Sequence, residues 1–420
     1  MTILYFAIAA KVLAARPAYA SGSDQPSETP LTSEAKLGSQ SATHEPAPSK
    51  EGFGYDPDAG FTYRLKDFKW TAWAFGERLF NFAGPDTWRR VRQGMEFDFP
   101  RITAKYRPVF VYEVDFTDND FFRKGPKWKI FENLFATLQD AEDPGQFRFL
   151  VGQNTHIISR DDNLSSGNLP TINRALVLEE HGSMNNFGTQ FGVQAVKAFS
   201  PRYTVALSAQ DNRGSFNQDK PRYVVGNSLA AKLRAVAVNE PRQQLTYGVG
   251  FDYTFASIDN GSFNLISALG QKTLGGVEAG GGKLTLEADI AHTFRLFTRP
   301  VTLDAEGLFS SYGTTKTTVV GLSTLFQISL FDTEWAGDLD PFVRYDVVSL
   351  GESKIARRAL QRALRAGVNY NLPFTQKLLN FHAEYGFNYV GGPLEIVSTP
   401  GDSGEFRLGV RVNLTRYLRH

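Results

Sequence analysis

Charged side chains at alternate positions are the residues of this sequence that could do chemistry. Arg407 and Arg411 lie in the segment GEFRLGVRVNL, where period-two alternation predicts a strand that carries both on one face. Guanidinium groups in a row can guide anions, because each offers several charged donors. The central part of that face holds no acid, so we expect both arginines to attract anions.

Acidic residues form a second candidate group on the segments KLTLEADIAHTF and PVTLDAEGLF, namely Glu287, Asp289, Asp304 and Glu306. A turn near Thr298 would place Asp289 opposite Asp304, and the two glutamates opposite each other. Like charges directly opposite on a sheet are destabilising, so a compensating group is expected. We predict that an arginine of the loop 153–187 reaches this patch. A solvated patch and a bound divalent cation are the alternatives.

Residues for catalysis or cofactor binding are sparse. The chain has no cysteine, no G-x-S-x-G and no H-E-x-x-H, so thiolate, serine-esterase and zinc-protease chemistry lack their motifs. His382 and Glu384 share a strand face, and we interpret them as hydrated lumen residues. We expect no enzyme activity, no cofactor and no metal.

The elements that position these residues are strands. Aromatic residues make up 13% of the 420 residues, and 34 of them are Phe. The chain also has 38 Gly, and this combination suits many strands and turns. The segments 102–116, 245–255 and 379–389 each alternate an apolar face against Gly, Asn, Thr and charge. The segment 354–366 can be interpreted as a short helix or as part of another alternating strand. Formal net charge is +1, which does not predict a nucleic-acid partner.

The N-terminal segment predicts export. Residues 1–20 are interpreted as a signal peptide that ends at the A-x-A motif Ala18-Tyr19-Ala20. Residues 21–60 are rich in Ser, Pro and charge, which predicts a disordered periplasmic leader. Residues 61–420 form the predicted strand domain, and the stretch 61–67 is expected to precede the barrel.

Alternating segments and the spacing of short turns give 16 strands, with 18 as the alternative count. This even number, together with short turns at one end and long loops at the other, is typical of an all-β, antiparallel, transmembrane β-barrel. The segment 261–270 then belongs to a long outer loop at about 256–282. The predicted inward basic residues are Arg90, Arg92, Lys105, Arg107, Arg148, Lys232, Arg234, Lys283, Arg344, Arg365, Arg407 and Arg411.

Inward acids are nearly as numerous, so the sequence shows no one-sided arginine ladder. They are Glu96, Asp98, Glu113, Asp115, Asp252, Glu287, Asp289, Asp304, Glu306, Asp346 and Glu384. Many basic residues are therefore expected to pair across strands, Glu96 with Lys105 for example. Such pairs contribute only about 0.2–1 kcal/mol each.

The chain resembles the phosphate-selective porins of the O and P type. The matching stretches, in order, are WRRVRQGMEF (88–97), YEVDF (112–116), RFLVGQ (148–153), NLSSGNLPTINRAL (163–176), FVRYDVVSL (342–350), GVNYNLPFTQKLLNFHAEYGFNYV (367–390) and EFRLGVRVNL (405–414). The resemblance implies a trimeric 16-stranded porin whose third and fifth outer loops fold into the lumen. It also implies that Arg89, Arg90 and Arg174 correspond to basic residues that guide anions.

These observations lead to one functional expectation with two alternatives. We expect an outer-membrane porin of a Gram-negative bacterium that passes small, mainly anionic solutes, phosphate among them. Arg160 or Arg174 is expected at the constriction, because the loop 153–187 folds inward. The expected partners of the protein are membrane lipid, lipopolysaccharide, small anions and two further copies of the chain. A non-selective or organic-solute porin, and an exported soluble β-protein that binds polysaccharide, are the alternatives. The expected anion-guiding residues are Arg90, Arg92, Arg107, Arg160, Arg174, Arg407 and Arg411.

Overall fold

The computed structural model describes most of the chain after residue 50. The described residues are 51–56, 60–81, 87–116, 131–160, 170–171, 174–176, 178, 189–211, 228–269, 273–333, 337–352, 357–372, 379–392, 397 and 401–413. The predicted signal peptide, and residues 21–50 of the predicted leader, lie outside this part. Among the described residues, no helix is long and apolar enough to cross a membrane.

Period-two alternation has produced strands throughout the described part of the chain. They are β1 (Gly52–Asp56), β2 (Gly60–Leu65), β3 (Phe68–Asn81), β4 (Thr87–Asp98), β5 (Tyr106–Asp115), β6 (Phe131–Asp140), β7 (Phe147–Thr155), β8 (Thr189–Ser200), β9 (Tyr203–Asp211), β10 (Ser228–Glu240), β11 (Gln243–Ile266), β12 (Thr273–Leu296), β13 (Arg299–Tyr312), β14 (Thr317–Ile328), β15 (Phe331–Thr333), β16 (Gly337–Glu352), β17 (Arg357–Asn371), β18 (Leu379–Gly391) and β19 (Gly401–Asn413).

Sixteen of these strands form a closed antiparallel barrel. Each strand from β3 to β14 pairs with the next, β14 pairs with β16, and the series continues to β19. Closure comes from β19, which pairs with β3 through Arg407↔Asn81 to Asn413↔Phe75. The strands β1, β2 and β15 lie outside this ring, so 16 strands is confirmed and the alternative of 18 is wrong.

The strands β1 and β2 correct one boundary of the sequence analysis. Gly52–Asp56 pairs with β2 in a hairpin, although the predicted disordered leader extended to residue 60. The ring of Phe53 lies 4.7 Å from that of Tyr63 and 6.1 Å from that of Trp70, which gives the hairpin an aromatic contact on β3. The stretch 61–67 precedes the barrel, as predicted.

The two ends of the barrel differ in the length of their connections. At one end the strands are joined by turns as short as Phe297-Thr298, and at the other by segments as long as the one between Thr155 and Thr189. Short turns mark the periplasmic end of outer-membrane barrels and long loops the outer end. The fifth outer connection is shorter than predicted, because β11 and β12 extend as a long hairpin through most of 256–282.

The two faces of the barrel wall have opposite chemistry. Along β18, Phe381, Tyr385 and Tyr389 are 43–50% exposed on the outside, whereas His382 and Glu384 are at most 2% exposed inside. The strand β17 replaces the short helix that was one interpretation of 354–366. A soluble protein rarely exposes so continuous an apolar surface, which argues against the soluble polysaccharide-binding alternative.

Candidate functional site: the lumen and its inward loops

The third outer loop, between β7 and β8, folds into the lumen and bonds to the far wall. Arg411 Nη2 donates to the Thr171 carbonyl at 3.1 Å, and Asn369 Nδ2 donates to the Pro170 carbonyl at 2.8 Å. Arg365 Nη2 donates to the carbonyl of Arg174 at 3.0 Å. These contacts confirm the predicted inward loop. Its start is corrected from residue 153 to residue 156, because β7 continues to Thr155.

Arg160 makes the contact that was predicted between this loop and the acidic patch. Its Nε lies 3.1 Å from both carboxylate oxygens of Asp304, and its backbone N–H donates to Glu306 Oε1 at 3.2 Å. Burial opposes the charged form, but Asp304 and Asp289 outweigh it and hold the pKa of Arg160 above its usual value. The loop is thereby tied to the β13 wall by a charge-assisted bond.

The four acids face the lumen, although their register differs from the prediction. Asp289 stands opposite Glu306, and Ala291 stands opposite Asp304. The reason is a two-residue turn at Phe297-Thr298, in which Phe297 has the positive φ of 59° that such turns require. The predicted pairing of Asp289 with Asp304 is therefore wrong by two residues.

Lys232 on β10 is a second cation of the acidic patch. Its Nζ lies 3.0 Å from Glu287 Oε1 and 2.6 Å from Asp289 Oδ2, and it donates to the carbonyl of Ile158. Gly250 on β11 leaves the space for this arrangement, since a Cβ there would lie 3.3 Å from Ile158 and 2.8 Å from Glu287. One buried ammonium thus binds both the wall and the loop.

A buried polar cluster holds the first residues of the third loop. Lys283 Nζ lies 2.9 Å from Asp252 Oδ2, and Ser228 Oγ donates to Asp252 Oδ1 at 2.5 Å. His156 Nε2 lies 3.8 Å from the same carboxylate. All four side chains are at most 1% exposed, so this cluster fixes where the chain leaves β7 and turns inward.

The fifth outer loop, between β11 and β12, also turns inward. Its backbone N–H at Leu269 donates to Glu405 Oε2 at 2.9 Å. Just before the loop, Gln361 Nε2 donates to the carbonyl of Ile266, the last residue of β11. Leu265 and Ala268 are fully buried in an apolar cluster with Ile158 and Leu176 of the third loop. The two loops therefore pack on each other along the wall formed by β10 to β19.

Most of the predicted anion-guiding arginines point inward, but several are bound to acids. Arg411 Nε lies 2.7 Å from Glu77 Oε1, so Arg411 is paired although its own strand offers no central acid. Arg92 contacts Asp115 at 2.8 Å, Glu132 at 2.9 Å and Glu113 at 3.2 Å.

The other predicted arginines also stand beside lumen groups. Arg107 donates to the carbonyl of Ala141 at 2.9 Å and lies 3.9 Å from Asp98. In the strand register Arg90 lies opposite Glu77, and Arg407 lies opposite Glu384. Arg174 sits in the third loop near Arg365. The side chain of Arg89 lies outside the described residues.

Two further predictions about wall residues are corrected. Glu96 lies opposite Val111 rather than near Lys105, because the connection 99–105 is a wide turn and not a tight one. His382 is 2% exposed and not hydrated. Its Nε2 lies 3.1 Å from Glu384 Oε2, and its ring stacks on Phe342.

Two inward arginines were not selected from the sequence, although alternation placed them on the lumen face. Arg148 on β7 and Arg234 on β10 are half-buried, and neither forms a salt bridge with any described residue. Arg148 lies close enough to Arg234 for their charges to repel, and Glu96 partly offsets the charge of Arg148. Arg234 also lies near Arg160, but the carboxylates of Asp289, Glu287 and Glu306 partly offset its charge. The two guanidinium groups therefore keep more of their charge than the salt-bridged arginines do. Arg148 and Arg234 differ from the other inward basic residues only in lacking a salt bridge with a described residue, and that difference appears only in the tertiary structure.

Comparison with known proteins gives the fold but no close relative. No family model matches the chain, and no curated protein matches it. The structure is similar to outer-membrane expressed OmpT of Vibrio cholerae, with a TM-score of 0.54 at 10% identity over 84% of this chain and 99% of that one. An in-vitro folded trimer form of that protein gives 0.53 at 12% identity, covering 85% and 100%.

A third solved structure supports the same fold. The complex of Salmonella typhi OmpF with daunomycin gives a TM-score of 0.50 at 12% identity, covering 84% of this chain and 99% of that one. A closed barrel with an apolar outer belt and a polar interior is the strand architecture that can span a bilayer. The chain therefore has the fold of the outer-membrane porins, and its place is the outer membrane of a Gram-negative bacterium.

Proposed function

We propose that this protein is a porin through which small hydrophilic solutes diffuse passively, with a preference for anions. It needs no cofactor and performs no catalytic step. Phosphate is the anion that the sequence resemblance suggests, and the wider class is small inorganic and organic anions. The signal peptide at 1–20, the leader after it and assembly as a homotrimer are parts of the same proposal.

The observation that carries this proposal is the pair Arg148 and Arg234. Most inward cations are neutralised by neighbouring acids, so their number says little about selectivity. These two guanidinium groups have no carboxylate within salt-bridge distance among the described residues. Acids at longer range, Glu96 near Arg148 and Asp289, Glu287 and Glu306 near Arg234, offset only part of their charge. A lumen surface that keeps excess positive charge at these two positions favours anions over cations.

Reversal potential across a planar bilayer in a potassium chloride gradient tests the proposal. The wild-type protein is expected to favour chloride. The double variant Arg148→Gln/Arg234→Gln should lose most of that preference while conductance remains. Lys197→Gln is the matched control, because Lys197 lies on the outer face of β8 near Phe199. Cation preference in the wild type, or equal shifts in both variants, would overturn the proposal.

Adding phosphate while chloride current is measured tests whether the pore prefers phosphate to other small anions. If the pore prefers phosphate, millimolar phosphate should reduce chloride current in the wild type and not in the double variant. A non-selective porin, which remains the second candidate, would show a reversal potential near zero and no block. Assembly is tested separately by gel migration of unheated samples, where a homotrimer should move as one large species that heating dissociates.

A further inference from the structure

A histidine and a glutamate form a buried contact on the lumen face of β18. His382 and Glu384 are at most 2% exposed, and His382 Nε2 lies 3.1 Å from Glu384 Oε2. On the other side of the ring, Nδ1 lies 2.5 Å from Asn369 Oδ1 on β17. Phe342 stacks on the ring, and Gly367 leaves the space for it, since a Cβ there would lie 2.6 Å from the Phe342 side chain. Both ring nitrogens therefore have defined partners.

Asn369 determines which ring nitrogen carries a hydrogen. Its Nδ2 donates to the carbonyl of Pro170 in the third loop at 2.8 Å, so the side-chain atom that faces His382 is the acceptor Oδ1. His382 Nδ1 must then carry a hydrogen. Nε2 faces the carboxylate of Glu384, which in its ionised form is also an acceptor. One further proton must therefore lie between Nε2 and Oε2, either as imidazolium beside carboxylate or as imidazole beside carboxylic acid.

Charged groups of the neighbouring strands surround this contact. They form two ion pairs, Arg411 with Glu77 of β3 and Arg365 with Asp346 of β16. Arg365 Nε also lies 3.9 Å from Glu384 Oε1, and Arg407 stands opposite Glu384 in the strand register. Guanidinium groups keep their charge throughout the neutral range of pH, whereas histidine titrates there. The proton shared by His382 and Glu384 can therefore be lost while the arginines around it stay charged.

We propose that this shared proton latches the third loop to the wall, and that its loss as the pH rises releases Pro170. The proton passes to lumen water and leaves one hydrogen on the imidazole. If that hydrogen stays on Nδ1, the lone pair of Nε2 faces a carboxylate. If it moves to Nε2, the bond to Glu384 is restored, and Asn369 turns its amide so that Nδ2 donates to Nδ1. Asn369 Oδ1 then faces the Pro170 carbonyl, so the hydrogen bond between wall and loop is lost.

The neighbouring anchors of the loop do not depend on this proton. Arg411 donates to the carbonyl of Thr171 and Arg365 to that of Arg174, and both donors are guanidinium groups. The loop is therefore expected to loosen at one point rather than to leave the lumen.

Single-channel records of the full chain at about pH 5.5 and about pH 8.5 test the latch. In the wild type, current fluctuations should be about fivefold more frequent at the higher pH, the ratio that corresponds to one ordinary hydrogen bond. Glu384→Gln should remain quiet at both pH values, because its amide N–H donates to neutral Nε2 and leaves Asn369 in place. Asn369→Leu should fluctuate frequently at both pH values, because it cannot bind Pro170.

A second histidine provides the matched control. His292 lies at the periplasmic end of β12 with its ring beside that of Phe294. His292→Gln should keep the pH response of the wild type. A pH response that persists in Glu384→Gln would assign it to another group, such as His156 beside Asp252, and would overturn the inference.

Nitrogen-15 spectra of the histidine side chains in detergent test the proton directly. The His382 signals are those that disappear in His382→Gln. They should change between the two pH values in the wild type, with the remaining hydrogen on Nε2 at the higher pH, and should not change in Glu384→Gln. Identical wild-type spectra at both pH values, or a hydrogen that stays on Nδ1, would overturn the latch. Chloride preference is measured separately by reversal potential, so failure of the latch is distinguishable from failure of the proposed channel function.

Discussion

Arg160 connects the third loop to the acidic wall through its own charged side chain. Its Nε lies between two oxygens of Asp304, and both side chains are about four-fifths buried, at 23% and 18% exposed. A charge-assisted bond of this kind contributes about 1.5–3 kcal/mol, enough to shift a loop between bound and free states by more than tenfold. The position of the loop should therefore respond to either partner.

Replacing Arg160 with Gln should loosen the loop and increase the frequency of current fluctuations in single-channel records severalfold, because the bond to Asp304 is lost. Asp304→Asn should have a similar effect. The double variant should be no noisier than either single variant, since all three lack the same contact. Additive effects, or quiet records from a folded Arg160→Gln barrel, would place the control of the loop elsewhere.

Lys232 is expected to be essential for stability rather than for selectivity. Replacing it with Met leaves Glu287 and Asp289 buried without a cation, which should cost about 3–5 kcal/mol. The measurement is the urea concentration at which the detergent-folded barrel loses its strand signal. The triple variant Lys232→Met/Glu287→Gln/Asp289→Asn should recover most of the loss. If Lys232→Met unfolds at the wild-type urea concentration, the ammonium is not the compensating charge.

Sequence alternation predicts which way a side chain faces but not which partner it finds. Arg411 was placed correctly in the lumen because period two fixes the face of a strand. Its salt bridge with Glu77 joins residues from the two ends of the chain, and only barrel closure brings them together. Arg148 and Arg234 form no salt bridge with a residue that the structure describes, and this too depends on the tertiary positions of the acids rather than on alternation.

At the level of elements, β2 completes an edge that β19 leaves open. The strand β19 pairs with β3 only along Phe75–Asn81, while β2 pairs along the remainder of the same edge, from Leu65↔Phe68 to Phe61↔Ala72. An unpaired edge exposes backbone donors and acceptors, which is unfavourable and promotes aggregation. The hairpin that precedes the barrel therefore acts as an edge cover.

Deleting Gly52–Leu65 should expose that edge without opening the barrel. Hydrogen exchange at the amides between Phe68 and Ala72 that bond to β2 should accelerate, because their partners are gone. Amides of Phe75–Asn81 remain paired with β19 and serve as the internal control. Unchanged exchange throughout β3 would mean that β2 does not cover the edge in the folded protein.

The sequence did not predict the registers of two hairpins correctly. The β12–β13 turn contains no glycine or asparagine at Phe297-Thr298, so its residue types do not indicate its length. The observed register differs from the predicted one by two residues. This difference keeps Asp304 and Glu306 on the inward face but gives each a different cross-strand partner. The β4–β5 connection behaved similarly, since a wide turn moved Glu96 away from Lys105. The face of the strand on which a side chain lies depends on whether its position is odd or even. Its partner on the neighbouring strand depends on the geometry of the turn between them.

On the scale of the whole molecule, the described parts of the two inward loops bond to one contiguous side of the barrel. Contacts of the third and fifth loops run to β10, β13, β16, β17 and β19. Arg148 belongs to β7, outside this set, and faces the lumen near Arg234 of β10. The sequence resemblance implied that both loops fold inward. The apolar cluster that holds Leu265 at the end of β11 together with Leu176 of the third loop is a tertiary contact, and no periodicity of the sequence predicts it.

The absence of cysteine from the chain allows this arrangement to be tested by a single engineered cross-link. A Cβ added at Gly386 on β18 would lie 2.9 Å from the Cβ of Ala268 in the fifth loop, so a small shift reaches the roughly 3.5–4.5 Å of a disulfide. The variant Ala268→Cys/Gly386→Cys should cross-link nearly completely on oxidation. Because the loop is already against the wall, open-channel conductance should stay at the wild-type value while brief current fluctuations decrease. Reduction should restore those fluctuations. A folded variant that does not cross-link, or whose conductance falls on oxidation, would show that the fifth loop occupies another position in the working pore.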